Sequence, residues 1–446
     1  MSDDLIFTRR EMLARGLTLV SAAATIPYFL DRTAVAVAGA NDGPRSGRQR
    51  GNEAERILVV LQLAGGNDGL NTIVPVGNDR YYEARPQIAI PKNETLKVND
   101  DLAFPKQAEG LKRLYDDGLL AILQGVGYPN PNRSHFVATD IWSTADPTEA
   151  THNGWIGRYF DCACKGSDRP NPRRGIALTQ EAPLAMQGAR FSPVSFGSPD
   201  ELTFRGPAAG GKGTETFNKL NRAKKRPGLR GDEPFAPKNE VSALAYLERM
   251  AMDARASADE IQSATGSTGA NQRGGFQFRF KRPGRGGELG AQLEMVHRMI
   301  AAGLETKVYY VSMGGFDTHA GQIGRHPNLI QQLGEALHEF VDNLRDAGLL
   351  DRVTIMTFSE FGRRVAENGS NGTDHGAAAP LFVIGNHIRP GVHGEHPSLE
   401  PNELDAGDLQ WHTDFRSIYA AVLEDWLKTN PERILGGPYE KVSLFV

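Results

Sequence analysis

Five short pieces of this sequence carry side chains suited to metal or nucleophile chemistry: Asn67-Asp68, Arg133-Ser134-His135, Asp317-x-His319, Glu360 with Arg363, and Asp374-His375. Four carboxylates gathered in one crevice cannot all stay ionised, because like charge forces some of them to take up protons. A divalent cation removes that conflict, and histidine with aspartate or glutamate is a ligand set for zinc, manganese or a related ion such as calcium. The spacing of Asp317 and His319 lets both side chains point the same way from an extended segment. We expect Asp317, His319 and His375 to hold one ion, with Asp68, Glu360 and Asp374 on it or on a neighbour. Taken singly, an Asp-x-His pair is more often a hydrogen-bonded structural pair. Repetition is what points to a metal.

Ser134 is the expected nucleophile. At a helix start its oxygen lies in the positive end of the helix dipole, and a nearby metal lowers the pKa of a hydroxyl. Arg133 and Arg363 offer forked donors for the oxygens of a phosphate or sulfate group. An ordinary N-cap is the plainer role for such a serine, and the two roles are compatible.

These pieces need a scaffold that brings them together. Each follows or precedes a continuous apolar run: "ILVVLQL", "LLAILQGVG", "KVYYVSM", "RVTIMTF" and "APLFVI". Such runs bounded by glycine read as buried parallel strands, and helical patterns such as "NLIQQLGEALHEFVDNLRDAG" lie between them. The alternation predicts an α/β fold with a mostly parallel central sheet covered on both faces, where ligands sit outside the carboxyl ends of the strands. The stripe Trp411, Phe415, Tyr419 and Leu423 reads as core packing. His297 and His338 fall on helical segments away from the site, and His412 is ambiguous.

The chain of 446 residues has a net charge of −4, so no global basic field points to nucleic acid. Its two cysteines, Cys162 and Cys164, are too close for an unstrained ordinary disulfide. Near the start, Arg9-Arg10 precedes an apolar stretch that ends before Ala38-Gly39-Ala40, the pattern of a twin-arginine export signal over residues 1–40. This predicts passage through the twin-arginine translocase, a periplasmic or cell-surface location, and no transmembrane anchor after cleavage. A polar linker at 41–55 and a Gly/Lys/Arg-rich insertion at about 200–290, read as a cap region, flank and interrupt one domain over 56–446.

The motifs "LAGGNDGLNTIVP", "NPNRSHF", "GGFDTH", "SEFGR" and "GTDHG" together resemble the bacterial family catalogued as domain of unknown function 1501, over nearly the whole mature chain. That family is similar to the alkaline phosphatase and sulfatase superfamily. The resemblance implies an alkaline-phosphatase-like three-layer sandwich, with Asp68, Asp317, His319 and His375 as metal residues and Ser134 at the nucleophile position. Phe361 stands where the superfamily has a metal histidine and Glu360 where it has an aspartate. A second metal site is therefore incomplete unless Asp374 or His135 substitutes. The Cys-x-Pro-x-Arg signature of formylglycine sulfatases is absent.

The expected function is an exported metal-dependent hydrolase of small-molecule or polysaccharide phosphate or sulfate esters. The alternative is a non-catalytic binding protein on the same fold, with a structural metal or none.

Overall fold

The computed structural model describes residues 56–163, 171–198 and 286–446, with a few helical positions between 257 and 265. The expected signal and linker, and most of the insertion, lie outside these residues. The described positions of the insertion are helical and bury Ala258 and Ile261 in the main core.

The strands are β1 (Ile57–Leu63), β2 (Thr95–Lys97), β3 (Ala103–Pro105), β4 (Leu120–Gly127), β5 (Gly175–Ala177), β6 (Val194–Ser195) and β7 (Val308–Met313). They continue with β8 (Val353–Phe358), β9 (Arg363–Glu367), β10 (Thr373–His375), β11 (Ala379–Ile384), β12 (Gly391–His393) and β13 (Thr413–Asp414). The main sheet runs β12-β4-β11-β8-β1-β7-β5-β6, with β13 added alongside β4. Every pairing in it is parallel except those of β11, which runs antiparallel to both β4 and β8. β2 with β3, and β9 with β10, form separate two-stranded ribbons.

β1 shows why the sheet lies in the middle. Its apolar run has no polar face, and alternate side chains leave on opposite sides. Val59 and Leu61 enter one core, packed against α3 (Glu109–Asp116), α6 (Gly287–Ala301) and α7 (Gln322–Asp346). Leu58 and Val60 enter the other, packed against α4 (His135–Thr144), α5 (Trp155–Ala163) and α8 (Phe415–Ala421). The result is a three-layer α/β sandwich, with α1 (Gly69–Thr72) and α2 (Asp79–Ala84) over its loops. Phe415, Tyr419 and Leu423 are core residues as expected.

Strand direction decides where the polar pieces go. β1, β4, β7 and β8 point the same way, so the loops that follow them gather at one edge. β11 points the opposite way, so it begins at that edge, and the β9–β10 ribbon that precedes it is delivered there too. A third apolar cluster, including Leu70, Tyr81, Val365 and Leu409, underpins this loop layer.

Candidate metal centre

His135 is the first residue of α4 and enters the site from the loop after β4. The helix is pinned by Trp142, which stacks on Phe415 at 4.4 Å and on Phe358, the last residue of β8, at 5.5 Å. Aromatic pairs of this kind contribute about 0.5–1.5 kcal/mol each beyond their buried area. Asp317 and His319 come from the loop after β7, and His375 ends β10. The loop after β1 approaches so closely that a Cβ on Gly65 would collide with the backbone of Asp317, and one on Gly66 with the ring of Phe361. Both glycines also have positive φ, at 120° and 69°, which side chains resist.

Three imidazoles and one carboxylate converge here. Asp317 Oδ1 lies 3.2 Å from His319 Nε2, 3.5 Å from His375 Nε2 and 3.6 Å from His135 Nε2. The His319 and His375 Nε2 atoms are 2.8 Å apart. On its other side each ring faces an acceptor: His135 Nδ1 meets Glu360 Oε1 at 2.8 Å, His375 Nδ1 meets the carbonyl of Arg133 at 2.8 Å, and His319 Nδ1 meets Asp374 Oδ1 at 3.2 Å. If the three Nδ1 atoms carry the protons, as their acceptors require, the three Nε2 atoms present lone pairs. Two lone pairs facing each other at 2.8 Å repel unless a cation or a proton lies between them. His135 Nε2 is moreover buried without a hydrogen-bond partner.

The donor set therefore fits a divalent ion. The ligand atoms of His135, Asp317 and His375 all lie within 4.8 Å of one another, and the Asp317 and His319–His375 separations are near the roughly 3.3 Å between ligands about 2.0–2.2 Å from a tetrahedral zinc. Metal-bound histidines characteristically give their second ring N–H to a carboxylate or carbonyl, and all three do so here. Phe361, buried, floors the site with its ring 4.8 Å from that of His135 and 4.6 Å from that of His375. Burial and the nearby Arg363 charge lower the pKa of His375, against the raising effect of its bond to Arg133, so its imidazole is kept neutral. For Asp317, burial acts to raise the pKa, but the hydrogen bond and charge of Arg363 prevail and hold it below its ordinary value. Asp374 is held low by Asn368 and His319.

The expected site residues separate into distinct groups. Asp317, His319 and His375 meet as described. Glu360 and Asp374 lie behind the histidines, on the Nδ1 side; Glu360 Oε1 also accepts the Gly65 N–H at 2.8 Å. Asp68 is turned away into a fully buried network. Its Oδ1 accepts the Leu70 N–H and its Oδ2 accepts Arg85, at 2.6 Å, and Gln322. Gln322 Oε1 in turn accepts the hydroxyls of Thr318 and Thr373, tying the loop of Asp317 to β10. Asp68 thus supports the segments that carry the cluster and does not join it.

Arg363 is buried, and its nitrogens are spent on the carbonyls of Gly65, Gly66, Phe316 and Thr373 and on Asp317 Oδ1 at 2.8 Å. With no side-chain surface exposed, it is turned into the loops and does not face a substrate oxygen. Arg133 is directed at Asp408. Ser134 is exposed at the N-cap of α4, yet its side chain makes no capping bond; its N–H donates to Asn132 Oδ1 at 2.8 Å. Among the described residues, the hydroxyl next to His135 makes no hydrogen bond.

His135 was not among the expected primary ligands. It was expected only as a substitute ligand for a second metal site, from its place beside Ser134 in "NRSHF". Arg85, Gln322 and Asp408 gave no sequence signal, since each acts through partners hundreds of positions away or through burial.

Fold and site together define a three-layer α/β protein with a His/Asp centre at the carboxyl edge of its sheet. The chain belongs to the family described as protein of unknown function DUF1501, whose pattern matches residues 122–424. No curated protein matches it. Among solved structures it is similar to the lipoteichoic acid synthase LtaP from Listeria monocytogenes, at 10% identity over 76% of this chain and 67% of that one, with a TM-score of 0.30. It is also similar to a protein in the alkaline phosphatase superfamily from Vibrio parahaemolyticus, at 10% identity over 78% and 64% of the two chains and a TM-score of 0.33. The PsFucS1 sulfatase from Pseudoalteromonas sp. matches at 10% identity over 86% and 69%, with a TM-score of 0.30. Likenesses this distant assign no residue a role. Among the described residues, no helix is long and apolar enough to cross a membrane.

Proposed function

We propose that the chain is a metal-dependent hydrolase of phosphate or sulfate esters, exported from the cytoplasm, with Ser134 as nucleophile. The observation that carries this reading is the convergence of three Nε2 atoms on Asp317 Oδ1, with the hydroxyl of Ser134 one residue from His135. A divalent ion held by His135, His319, His375 and Asp317 would supply Lewis-acid stabilisation of developing negative charge. Glu360, Asp374 and the Arg133 carbonyl fix the ring protons on Nδ1, which keeps the Nε2 atoms free to bind. Arg363 keeps Asp317 ionised. Ser134 Oγ forms a bond to phosphorus or sulfur as the ester's alkoxide leaves and takes a proton. Water then cleaves that bond, restoring the hydroxyl and releasing phosphate or sulfate. Export rests on Arg9-Arg10 and the apolar stretch after it.

A second reading, a binding protein with a structural metal, draws support from Arg363 and Phe361. The first is buried and holds Asp317 and the loop carbonyls, and the second puts an apolar ring where a further ligand would be needed.

The test is metal analysis of the mature protein beside His135→Ala and His375→Ala, followed by a panel of phosphate and sulfate esters with Ser134→Ala as control. Near-stoichiometric metal lost in both variants, with ester cleavage lost in Ser134→Ala, supports the hydrolase. Metal without turnover of any ester favours the binding protein. A folded chain that takes up no metal ends the hydrolase reading.

A further inference from the structure

Asp408 is buried, with 1% of its surface exposed, yet it faces two arginines that are not. Its Oδ2 accepts Nε of Arg133 at 2.9 Å and Nη2 of the same fork, while its Oδ1 lies 3.5 Å from Nε of Arg364 and makes no hydrogen bond. The Arg133 and Arg364 side chains are 41% and 38% exposed. Two guanidinium groups thus share one buried carboxylate, with the carboxylates of Asp405 and Asp374 also within electrostatic reach of this cluster. Nη1 of Arg133 and both terminal nitrogens of Arg364 make no hydrogen bond among the described residues.

A salt bridge whose task is only to stabilise the fold needs one cation per carboxylate and gains little from half-exposed forks. A buried anion that orients two planar forks does something else. It presents fixed donor edges to solvent at reduced entropic cost, and such edges match the oxygens of phosphate and sulfate. The pair also sits at the rim of the histidine centre. The Arg133 carbonyl accepts His375 Nδ1–H, and Arg364 follows Arg363, whose fork grips Asp317. Arg364 also contributes its charge at Asp374, the partner of His319.

We propose that Arg133 and Arg364, oriented by Asp408, form an oxyanion subsite beside the histidine centre that takes a tetrahedral phosphate or sulfate group. Arg133 and Arg364 are its binding residues and Asp408 its positioning residue. On an ester with several such groups, the subsite holds the neighbour of the one cleaved. That last clause rests on the hydrolase reading; the subsite does not.

The experiment is calorimetric titration of the full chain, stripped of metal by chelation, with inorganic sulfate and separately with inorganic phosphate. One site is expected, weakened at least tenfold in Arg364→Gln and less in Arg364→Lys, with circular dichroism unchanged. His375→Ala is expected to leave the affinity as it is. Asp408→Asn is expected to weaken binding although it removes a negative charge, because the forks lose their orientation. Absence of binding at tens of millimolar overturns the proposal, as does an affinity that Arg364→Gln leaves unchanged. So does loss of binding in His375→Ala, which would put the anion on the imidazoles. Binding of one anion and not the other identifies which group the subsite accepts. A protein that binds metal but no oxyanion loses only the subsite, and one that binds the oxyanion but no metal loses only the hydrolase.

Discussion

Two places in this molecule are built from the same residue types. In each, an aspartate follows a strand of the central sheet, an arginine grips it and a histidine lies nearby. Around Asp68, the pair with Arg85 is closed at 2.6 Å with both side chains buried, and His326 Nε2 meets Asn67 Oδ1 at 3.0 Å. Around Asp317, the pair with Arg363 leaves the aspartate half exposed, and the histidine Nε2 atoms face one another. Hydrogen-bond accounting separates the two. A cluster whose donors and acceptors are all matched holds a fold together. One whose lone pairs face each other is a ligand set for a cation.

The contrast can be broken most directly at Asp68. Asp68→Ala strands the buried Arg85 guanidinium, and removing one partner of a buried ion pair typically costs about 3–5 kcal/mol. Urea unfolding is the measurement, and a loss under about 1 kcal/mol would falsify the view that this cluster is structural.

His326 offers the next largest effect, through pH. Burial lowers its pKa from 6.5 to about 4 in the fold. The unfolded chain therefore takes up this proton first as pH falls. The stability this neutral imidazole retains is fully present above pH 6.5 and is lost as pH drops toward 4, by an amount on the order of 3 kcal/mol. Unfolding midpoints at several pH values should show a shallower slope across this window in His326→Gln. An unchanged slope would assign the acid sensitivity to other groups.

At the histidine centre, Glu360→Gln tests orientation rather than ligation. Replacing an outer partner of a metal-bound histidine weakens metal affinity by about 10–100-fold. Competition against a chelator reads this, and an unaltered affinity would mean that Glu360 does not orient His135.

The smallest effect is expected at Ser134. An N-cap serine replaced by alanine costs typically about 1 kcal/mol, but this hydroxyl caps nothing. Ser134→Ala should change stability by less than about 0.5 kcal/mol. A full capping loss would return Ser134 to the role of an ordinary helix start.

Much of this architecture was legible before folding. The run Ile57–Leu63 is a strand at those bounds, because a segment apolar at every position but Gln62 has no face to offer water. The residues at the ends of the apolar runs reach one edge because parallel strands place their following loops together. Asp317, His319 and His375 were legible for that reason. Asp68 was misleading: its position after β1 is the expected one, but Arg85 and Gln322 draw it inward. Arg363 was misleading in the same way.

The amino-acid sequence by itself determined the layers, the strands and the loops that carry the chemistry, since these follow from hydrophobic runs and turn residues read locally. Only the tertiary structure decided which side chains meet. The reversed direction of β11 brings Asp374 and His375 to the other loops. Glu360, Asp374 and the Arg133 carbonyl, from three separate segments, face the Nδ1 atoms of the three imidazoles. Those choices depend on hydrogen bonds between residues far apart in the chain, and no local pattern encodes such bonds.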